Sequence, residues 1–230
     1  MATTAVYVFS QVTRETNDLT SIRWTMPELA GYFNDGQRDI VMHRPDAMNT
    51  RISHTLVAGP RQTLPAGGEK LISVNHNTAG TKGAITKINR NILDDQSRTW
   101  RNLTGATEIL HFMYDPREPR VFEVYPPAAA TGAAVDLEYA ALPTDIPIPA
   151  EGTLYTAAAG SMTISDLFAN ALVNYVLYRC YRKDTEYASN PARAGAYYQA
   201  YMNDLGAEAR GNLMANVSPT PSSAARPQEA

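Results

Sequence analysis

Apolar residues recur at helical spacing near the start of the chain. They fall three or four residues apart over one stretch, at Leu29, Phe33, Gly36 and Ile40. The preceding Thr25-Met26-Pro27-Glu28 has the form of a capping box, in which Thr25 and Glu28 cap each other's backbone amides. Arg44-Pro45 should end this helix, because a residue before proline is driven out of the helical region. An earlier helix over 4–16 is also expected, although its AVYVF could equally begin a strand.

A second helical pattern lies near the carboxyl end. A stripe of apolar positions predicts a helix to about Lys183, with Thr163 or Ser165 as its cap: Ile164, Phe168, Ala171, Tyr175 and Tyr178. Asn190-Pro191 then supplies an N-cap and a proline at the first helical position. The next helix is expected to end at Gly206 and to bury Ala194, Tyr198, Tyr201, Met202 and Leu205. Residues 165–206 are thus predicted to form a helical hairpin in which most tyrosines pack.

The middle of the chain shows a different pattern. Six short runs are rich in β-branched and aromatic residues: ISHTLVAG, KLISVNHN, GAITKINRN, TEILHFMYD, RVFEVYPP and AAVDLEYAAL. Between them lie turn-forming stretches, namely GPRQTLPAGG, NTAGTKG, DPREP and PPAAATGA. Strands at this spacing predict a small antiparallel β-sandwich or barrel.

These patterns predict an α+β fold with a discontinuous layout. Residues 1–48 and 160–210 would form one helical bundle, and residues 49–159 would form a β domain inserted into it. Residues 211–230 have the composition of an extended C-terminal arm, because Leu213, Met214 and Val217 are their only large apolar residues.

Charge and cysteine content narrow the functional classes. The net charge is −3, whereas a general nucleic-acid binder is expected to be basic. Cys180 is the single cysteine, which excludes an internal disulfide and the usual thiolate zinc sites. No signal peptide is expected from the first residues, which lack a basic start and a long apolar run. No stretch is apolar for the roughly 18 residues that a membrane-spanning helix requires.

Residues capable of chemistry are scattered along the sequence. The histidines show no metal-binding spacing: His43, His54, His76 and His111. Cys180 lies between arginines that could activate a thiolate, but a small buried helix residue is favoured. Asp94-Asp95 could hold a cation, although adjacent acids in a loop are usually solvated. We therefore expect no catalytic, cofactor-binding or metal-binding residues.

The composition of the basic residues favours protein–protein contacts over nucleic-acid binding. Arginine outnumbers lysine by sixteen to four, and its forked guanidinium suits protein interfaces. Arg179, Arg182 and Lys183, followed by Asp184 and Glu186, predict an exposed or intersubunit strip of ion pairs. Binding to nucleic acid is the alternative, and the interleaved acids weaken it.

Four stretches, in this order and spacing, carry a family resemblance: RWTMPELAGYFNDGQRDIVMHRPDAM, LVAGPRQTLPAGGEKLISVNHNTAG, RVFEVYPPAAATGAAVDLEYAALPTD and LVNYVLYRCYRKDTEYASNPARAGAYYQAYMNDLG. Together they resemble the adaptor proteins of tailed bacteriophages, which lie between the portal and the tail. The resemblance implies a non-enzymatic protein that forms a ring, usually of twelve copies, under the portal. It also implies a helical bundle combined with a β domain, and a C-terminal segment that reaches the portal. Cys180 departs from the family pattern, in which alanine is common.

The resemblance implies a virion protein of the head–tail neck that is assembled in the host cytoplasm. Its partners would be the portal protein above, a tail tube or nozzle protein below and further copies of itself, with DNA passing through the lumen in non-specific contact only. We expect the arm to bind the portal or an adjacent ring subunit through Leu213, Met214, Val217, Pro219, Pro221 and Arg226. We expect the subunit interface to include Arg179, Arg182 and Asp184.

The sequence is also compatible with two other functions. One is another ring of the neck or tail, such as a tail-completion or terminator protein. The other is a β-domain module that binds a glycan or a host surface, with Trp24 and Trp100 as stacking platforms.

Overall fold

The structure, a computed structural model, describes residues 2–183 and 189–215, the latter with side chains only as far as Gly206. The described helices are α1 (Ala5–Glu15), α2 (Met26–His43), α3 (Arg90–Gln96), α4 (Ala169–Lys183) and α5 (Asn190–Ala215). The strands are β1 (Asn49–Thr55), β2 (Gly59–Thr63), β3 (Gly68–Asn77), β4 (Thr86–Lys87), β5 (His111–Met113), β6 (Val121–Ala128) and β7 (Ala134–Ala141). The α+β class predicted from the patterns is confirmed.

The first segment is a helix, so AVYVF does not begin a strand. Thr4 caps α1 by accepting a hydrogen bond from the Tyr7 amide at 3.3 Å. The apolar side chains then fall on one face, where Ala5, Val8, Phe9 and Val12 are buried.

The second helix has the predicted bounds but not the predicted cap. α2 begins at Met26 and ends at His43, directly before Arg44-Pro45. Thr25 makes no side-chain capping hydrogen bond. Glu28 pairs instead with the Lys183 ammonium on α4, so the capping-box prediction is wrong. A tertiary ion pair has taken the carboxylate that would otherwise reach back to Thr25.

The hairpin near the carboxyl end is present, but its second helix is longer than predicted. The Ser165 side chain accepts from the Leu167 amide in a short 3₁₀ turn that leads into α4. α5 continues to Ala215, so the predicted end at Gly206 is wrong. A glycine inside a helix costs only about 1 kcal/mol, and the alanines and glutamate that follow favour the helix. Residues 211–215 therefore extend α5, whereas residues 216–230 of the predicted arm lie outside the described residues.

The helices share one hydrophobic core. It contains side chains from α1, α2, α4 and α5, among them Phe9 and Phe33, whose ring centroids lie 5.6 Å apart. α2 and α4 approach closely at Gly36, because a β-carbon there would lie 2.6 Å from Leu172 and 2.8 Å from Tyr175. The missing side chain of Gly36 is what lets these two residues pack against α2.

The strands form two sheets, in the orders β1-β7-β3 and β2-β6-β5-β4. A second hydrophobic cluster joins them, with Leu137 and Tyr139 from one sheet and Phe122 and Val124 from the other. This arrangement corresponds to the predicted sandwich. It departs from a purely antiparallel one because β4 and β5 pair in parallel.

Two predicted boundaries in the β region are wrong. GPRQT was expected to be a turn but is strand β2. Because β2 is an edge strand, it tolerates Pro60, which has no amide hydrogen to donate. The buried Gln62 side chain closes the preceding turn through Val57 and Gly59. GAITKINRN contributes only the two residues of β4 before α3 begins at Arg90.

The β region lies in the chain between α2 and α4, as the discontinuous layout requires. Residues of both regions also meet, since Ala140 of β7 belongs to the helical core. The division into a bundle (1–48 and 160–210), an inserted domain (49–159) and an arm stays a prediction.

Candidate interaction site

Arg179, predicted at a subunit interface, lies half-buried between α4 and α2. Its Nη1 donates to the Tyr175 hydroxyl at 2.9 Å and lies 3.3 Å from the Asp35 carboxylate. Its guanidinium carbon lies 4.8 Å from the centre of the Tyr32 ring. These contacts use Arg179 within the chain, where it joins two helices of the core.

Arg182 differs because its side chain is exposed. Its Nη1 donates to the Tyr178 hydroxyl at 3.2 Å, and its guanidinium lies 5.9 Å from the Tyr178 ring centre. No carboxylate of the described residues lies within ion-pair distance of it. Asp184, the third predicted interface residue, lies outside the described residues.

Four tyrosines form a closed aromatic cluster between α4 and α5. The ring centroids lie 5.4 Å apart for Tyr175 and Tyr201, 6.2 Å for Tyr175 and Tyr178, 5.1 Å for Tyr178 and Tyr198 and 6.3 Å for Tyr198 and Tyr201. The Tyr201 hydroxyl donates to the Asp39 carboxylate, and burial together with this carboxylate raises the pKa of Tyr201. The tyrosines therefore pack the hairpin, as predicted, but Tyr198, which was expected to be buried, is 44% exposed.

Cys180 is an inert member of the helical core. Its side chain is fully buried, and this burial, with a smaller effect of the Glu28 carboxylate, raises its pKa to about 12. Trp24 donates from its indole Nε1 to the Cys180 carbonyl at 3.1 Å. A buried neutral thiol has no nucleophilic character at neutral pH, so the structure favours the packing interpretation of Cys180.

The histidines occupy four separate environments. His43 Nδ1 lies 2.9 Å from the Asp39 carbonyl, and His111 Nδ1 lies 2.6 Å from the Thr86 hydroxyl. Burial lowers the pKa of His54. His76 Nδ1 lies 3.5 Å from the Asp136 carboxylate. Within 2–183 and 189–206 no three His, Cys, Asp or Glu side chains are grouped to hold a metal ion.

Both tryptophans are buried and offer no stacking surface. Trp24 is 3% exposed and Trp100 is fully buried. Trp100 Nε1 donates to Asp94 Oδ1 at 2.8 Å, and Arg101 donates to the same oxygen. Asp94 is thereby held by protein donors, and the pKa of its carboxyl is lowered by Trp100 first and Arg101 second.

The arm residues can be placed only in part. Leu213 and Met214 belong to α5, and their side chains are not described. Val217, Pro219, Pro221 and Arg226 lie outside the described residues, so their predicted role in partner binding stays a prediction.

A polar network that was not predicted from the sequence lies on the outer face of the sheet β1-β7-β3. Arg51 Nε donates to Asp136 Oδ2 at 2.6 Å, and Asn75 Nδ2 donates to the same oxygen at 3.1 Å. The hydrogen bond from Arg51 is the main reason that the pKa of Asp136 is lowered. Asn49 donates to Glu138 on the same face. The signal was the alternation in VDLEY, which places Asp136 and Glu138 on the face opposite Val135 and Leu137.

A polar groove lies over the other sheet, beside the loop after β5. Its charged lining is nearly balanced, with pairs between Arg61 and Glu118 at 3.4 Å, Arg117 and Asp115 at 2.8 Å, and Arg90 and Glu123 at 3.6 Å. Lys87 is the groove cation without such a pair among the described residues. A surface neutralised by its own acids has little capacity to hold phosphates.

None of the described helices is both long enough and apolar enough to cross a membrane. A family model described as SU10 adaptor protein matches residues 4–225 of the chain. A search of curated proteins found no match.

Proposed function

The chain belongs to the SU10 adaptor protein family, and from this membership we propose that it is the head-to-tail adaptor of a tailed phage. Twelve copies form a ring under the portal protein in the neck of the virion. The ring links the DNA-filled head to a tail tube or nozzle protein and lines the channel through which DNA passes. It is assembled in the cytoplasm of the host bacterium.

The family match over residues 4–225 carries this proposal, because it spans the helical core and both sheets. The fold supports it: a helical core combined with a β-sandwich is the architecture that the resemblance to phage adaptors implies.

The charge of the protein supports a role as a conduit. Packaged DNA must slide past the ring, and a row of unpaired lysines or arginines would retain its phosphates. The net charge is −3, and the arginines of the polar groove are paired with Asp115, Glu118 and Glu123. Such a surface allows non-specific contact without strong retention.

The environments of the reactive residues support a structural role without catalysis. Cys180, the single thiol, is held neutral in the core. Asp94 and Asp136 each accept hydrogen bonds from two protein side chains. Purified protein is therefore expected to carry no stoichiometric metal in elemental analysis, and a tightly bound metal would contradict this part of the proposal.

Co-sedimentation with purified portal rings tests the function directly. We expect the full-length protein to sediment with portal rings and to appear in electron micrographs as a ring below the portal. Heads assembled without it should leak DNA or lack tails. A ring found only at the distal end of tails would identify a tail-terminator protein instead, and binding to host cells without portal binding would identify a receptor-binding module.

The C-terminal arm is proposed to strengthen this attachment, either by contact with the portal or by joining adjacent copies within the ring. Because α5 ends at Ala215, the arm is tested by deleting residues 216–230. The truncated protein should keep its melting temperature, since the described core lies outside the deletion, and should bind portal rings more weakly. Portal binding equal to that of the full-length protein would place the interface on the helices or the sandwich instead.

A further inference from the structure

Strand β1 leaves one backbone edge of the sandwich open. All seven of its residues pair with β7 in one continuous register. The Leu56 amide donates to the Ala133 carbonyl at 2.9 Å, and the Thr78 amide on the opposite side donates to the Ala134 carbonyl. Since hydrogen bonding alternates along a strand, the amides and carbonyls of Arg51, Ser53 and Thr55 point away from β7. Among the described residues nothing hydrogen-bonds to these groups.

The other three sheet edges are each protected. β3 has three register shifts and is covered by the segment around Ala84, and the Ile85 amide donates to the Asn75 carbonyl. β2 contains Pro60 and a register shift. β4 is only two residues long. Prolines, bulges and short length are the usual devices that prevent a sheet edge from pairing with another chain.

β1 has none of these devices. Its sequence, NTRISHT, contains no proline, glycine or lysine, and its seven residues span about 23 Å. Its two longest outward side chains also leave the edge clear, because Asn49 and Arg51 turn across the sheet to Glu138 and Asp136. A regular and accessible edge of this length is either a site of aggregation or a docking site for a strand.

We propose that the open edge of β1 binds the C-terminal segment 216–230 of a neighbouring copy, which adds a fourth strand to the sheet β3-β7-β1. This inference rests on the proposed ring. A closed ring needs two different surfaces on each subunit, and here they are the β1 edge and the C-terminal segment. Pairing β1 with β1 of a second copy would instead give a two-fold dimer, which cannot extend around a ring.

The sequence of the segment fits this edge. Residues 222–226, Ser-Ser-Ala-Ala-Arg, are free of proline and lie between Pro221 and Pro227. Five consecutive residues can supply the alternate amides and carbonyls that Arg51, Ser53 and Thr55 require, and the flanking prolines limit the register. Small side chains at Ala224 and Ala225 would not collide with the exposed side chains of the edge.

α5 passes close to the turn that leads into β1. The Leu205 carbonyl accepts from Arg44 Nη1 at 2.8 Å, just before the turn Pro45–Met48 that leads into β1. From Leu205 to Ala215 the helix runs ten more residues (215 − 205), which is about 15 Å. Residues 216–221 can add roughly 20 Å if extended. The proline-free stretch can therefore leave the surface of its own subunit.

Hydrogen exchange on the assembled ring tests the contact. The amides of Arg51, Ser53 and Thr55 should exchange about tenfold more slowly in the full-length protein than in the protein lacking residues 216–230. Replacing Ala224 and Ala225 together by proline should abolish the protection, because one of two adjacent amides faces β1 in either register. The matched control, Gln228→Pro with Glu229→Pro, lies beyond Pro227 and should keep it. Equal exchange in all four proteins would overturn the proposal.

Crosslinking identifies which copy supplies the segment. One chain lacks residues 216–230 and carries Ser53→Cys; the other is full length with Ala224→Cys, both in a Cys180→Ala background. A short bismaleimide should join the two chains, and moving the first cysteine to Ser73 on the opposite edge should prevent this. Failure to join them at Ser53 would overturn the proposal. Co-sedimentation with portal rings is measured separately. Rings that bind portals but form no such crosslink would refute the pairing of the segment with β1 and would leave the proposed adaptor function intact.

Discussion

The side-chain amide of Asn34 pairs with both backbone groups of Ile146, although 112 residues separate them in sequence. Asn34 Nδ2 donates to the Ile146 carbonyl at 3.1 Å, and the Ile146 amide donates to Asn34 Oδ1 at 2.9 Å. Both residues are buried. A residue of α2 thus takes the place of a strand partner for the extended segment after β7, and it ties that segment to the helical core.

Asn34→Leu should destabilise the protein by about 2–4 kcal/mol. Leucine has the same branched arrangement of side-chain heavy atoms as asparagine but leaves the amide and carbonyl of Ile146 buried without partners. The measurement is the free energy of unfolding in urea. Asn203→Leu is the control, since Asn203 is exposed, and it should change stability by less than about 0.5 kcal/mol. A similar loss in both variants would refute the clamp.

Two glycines of α2 should respond in opposite directions to alanine. Gly36→Ala should destabilise by about 1–3 kcal/mol, because the new β-carbon would meet Leu172 and Tyr175 at under 3 Å. Gly31→Ala should stabilise by about 0.5–1 kcal/mol, because nothing lies within 4 Å and alanine favours the helix. Thermal unfolding of both variants checks the close approach of α2 and α4, and equal shifts would contradict it.

A charge placed in the helical core should destabilise the whole protein. Phe33 is fully buried and Tyr175 is 8% exposed. Phe33→Asp and Tyr175→Asp should each lower the free energy of unfolding by several kcal/mol, since a buried carboxylate without a partner is costly. Ile22→Asp is the control, because Ile22 is 80% exposed. Should either core variant melt like the parent protein, the assignment of these helices to one core is wrong.

The Cys180 thiol should resist modification in the folded protein. Its pKa is raised to about 12 from 9.0, so the folded state holds its proton at pH values where the unfolded state releases it. Its contribution to stability is therefore complete below pH 9 and is lost as the pH rises towards 12. Thiol labelling at pH 8 should be negligible until denaturant is added, and Cys180→Ala should flatten the fall in stability above pH 9. Rapid labelling of the folded protein would contradict the buried site.

The sequence by itself determined the helices of the core and the face that each of them buries. The spacing of Leu29, Phe33 and Ile40 indicated α2, and Arg44-Pro45 its end. The apolar stripes before and after Asn190 indicated the hairpin, and they identified Tyr175 and Tyr201 as packing residues. These features follow from the chain's own periodicity and from local steric rules, so no partner segment is needed to specify them.

Where a side chain had more than one possible partner, the tertiary structure decided which partner it contacts. Glu28 could cap α2 or pair with Lys183, and only the position of α4 selects Lys183. Asn34 shows no local sign that its partner is Ile146. The sequence of a strand indicates which of its side chains face the core, but not which of its two edges is paired. The position of β7 therefore decides which edge of β1 is open. Periodicity is encoded by neighbours in the chain, whereas pairing across the fold depends on residues far apart in it.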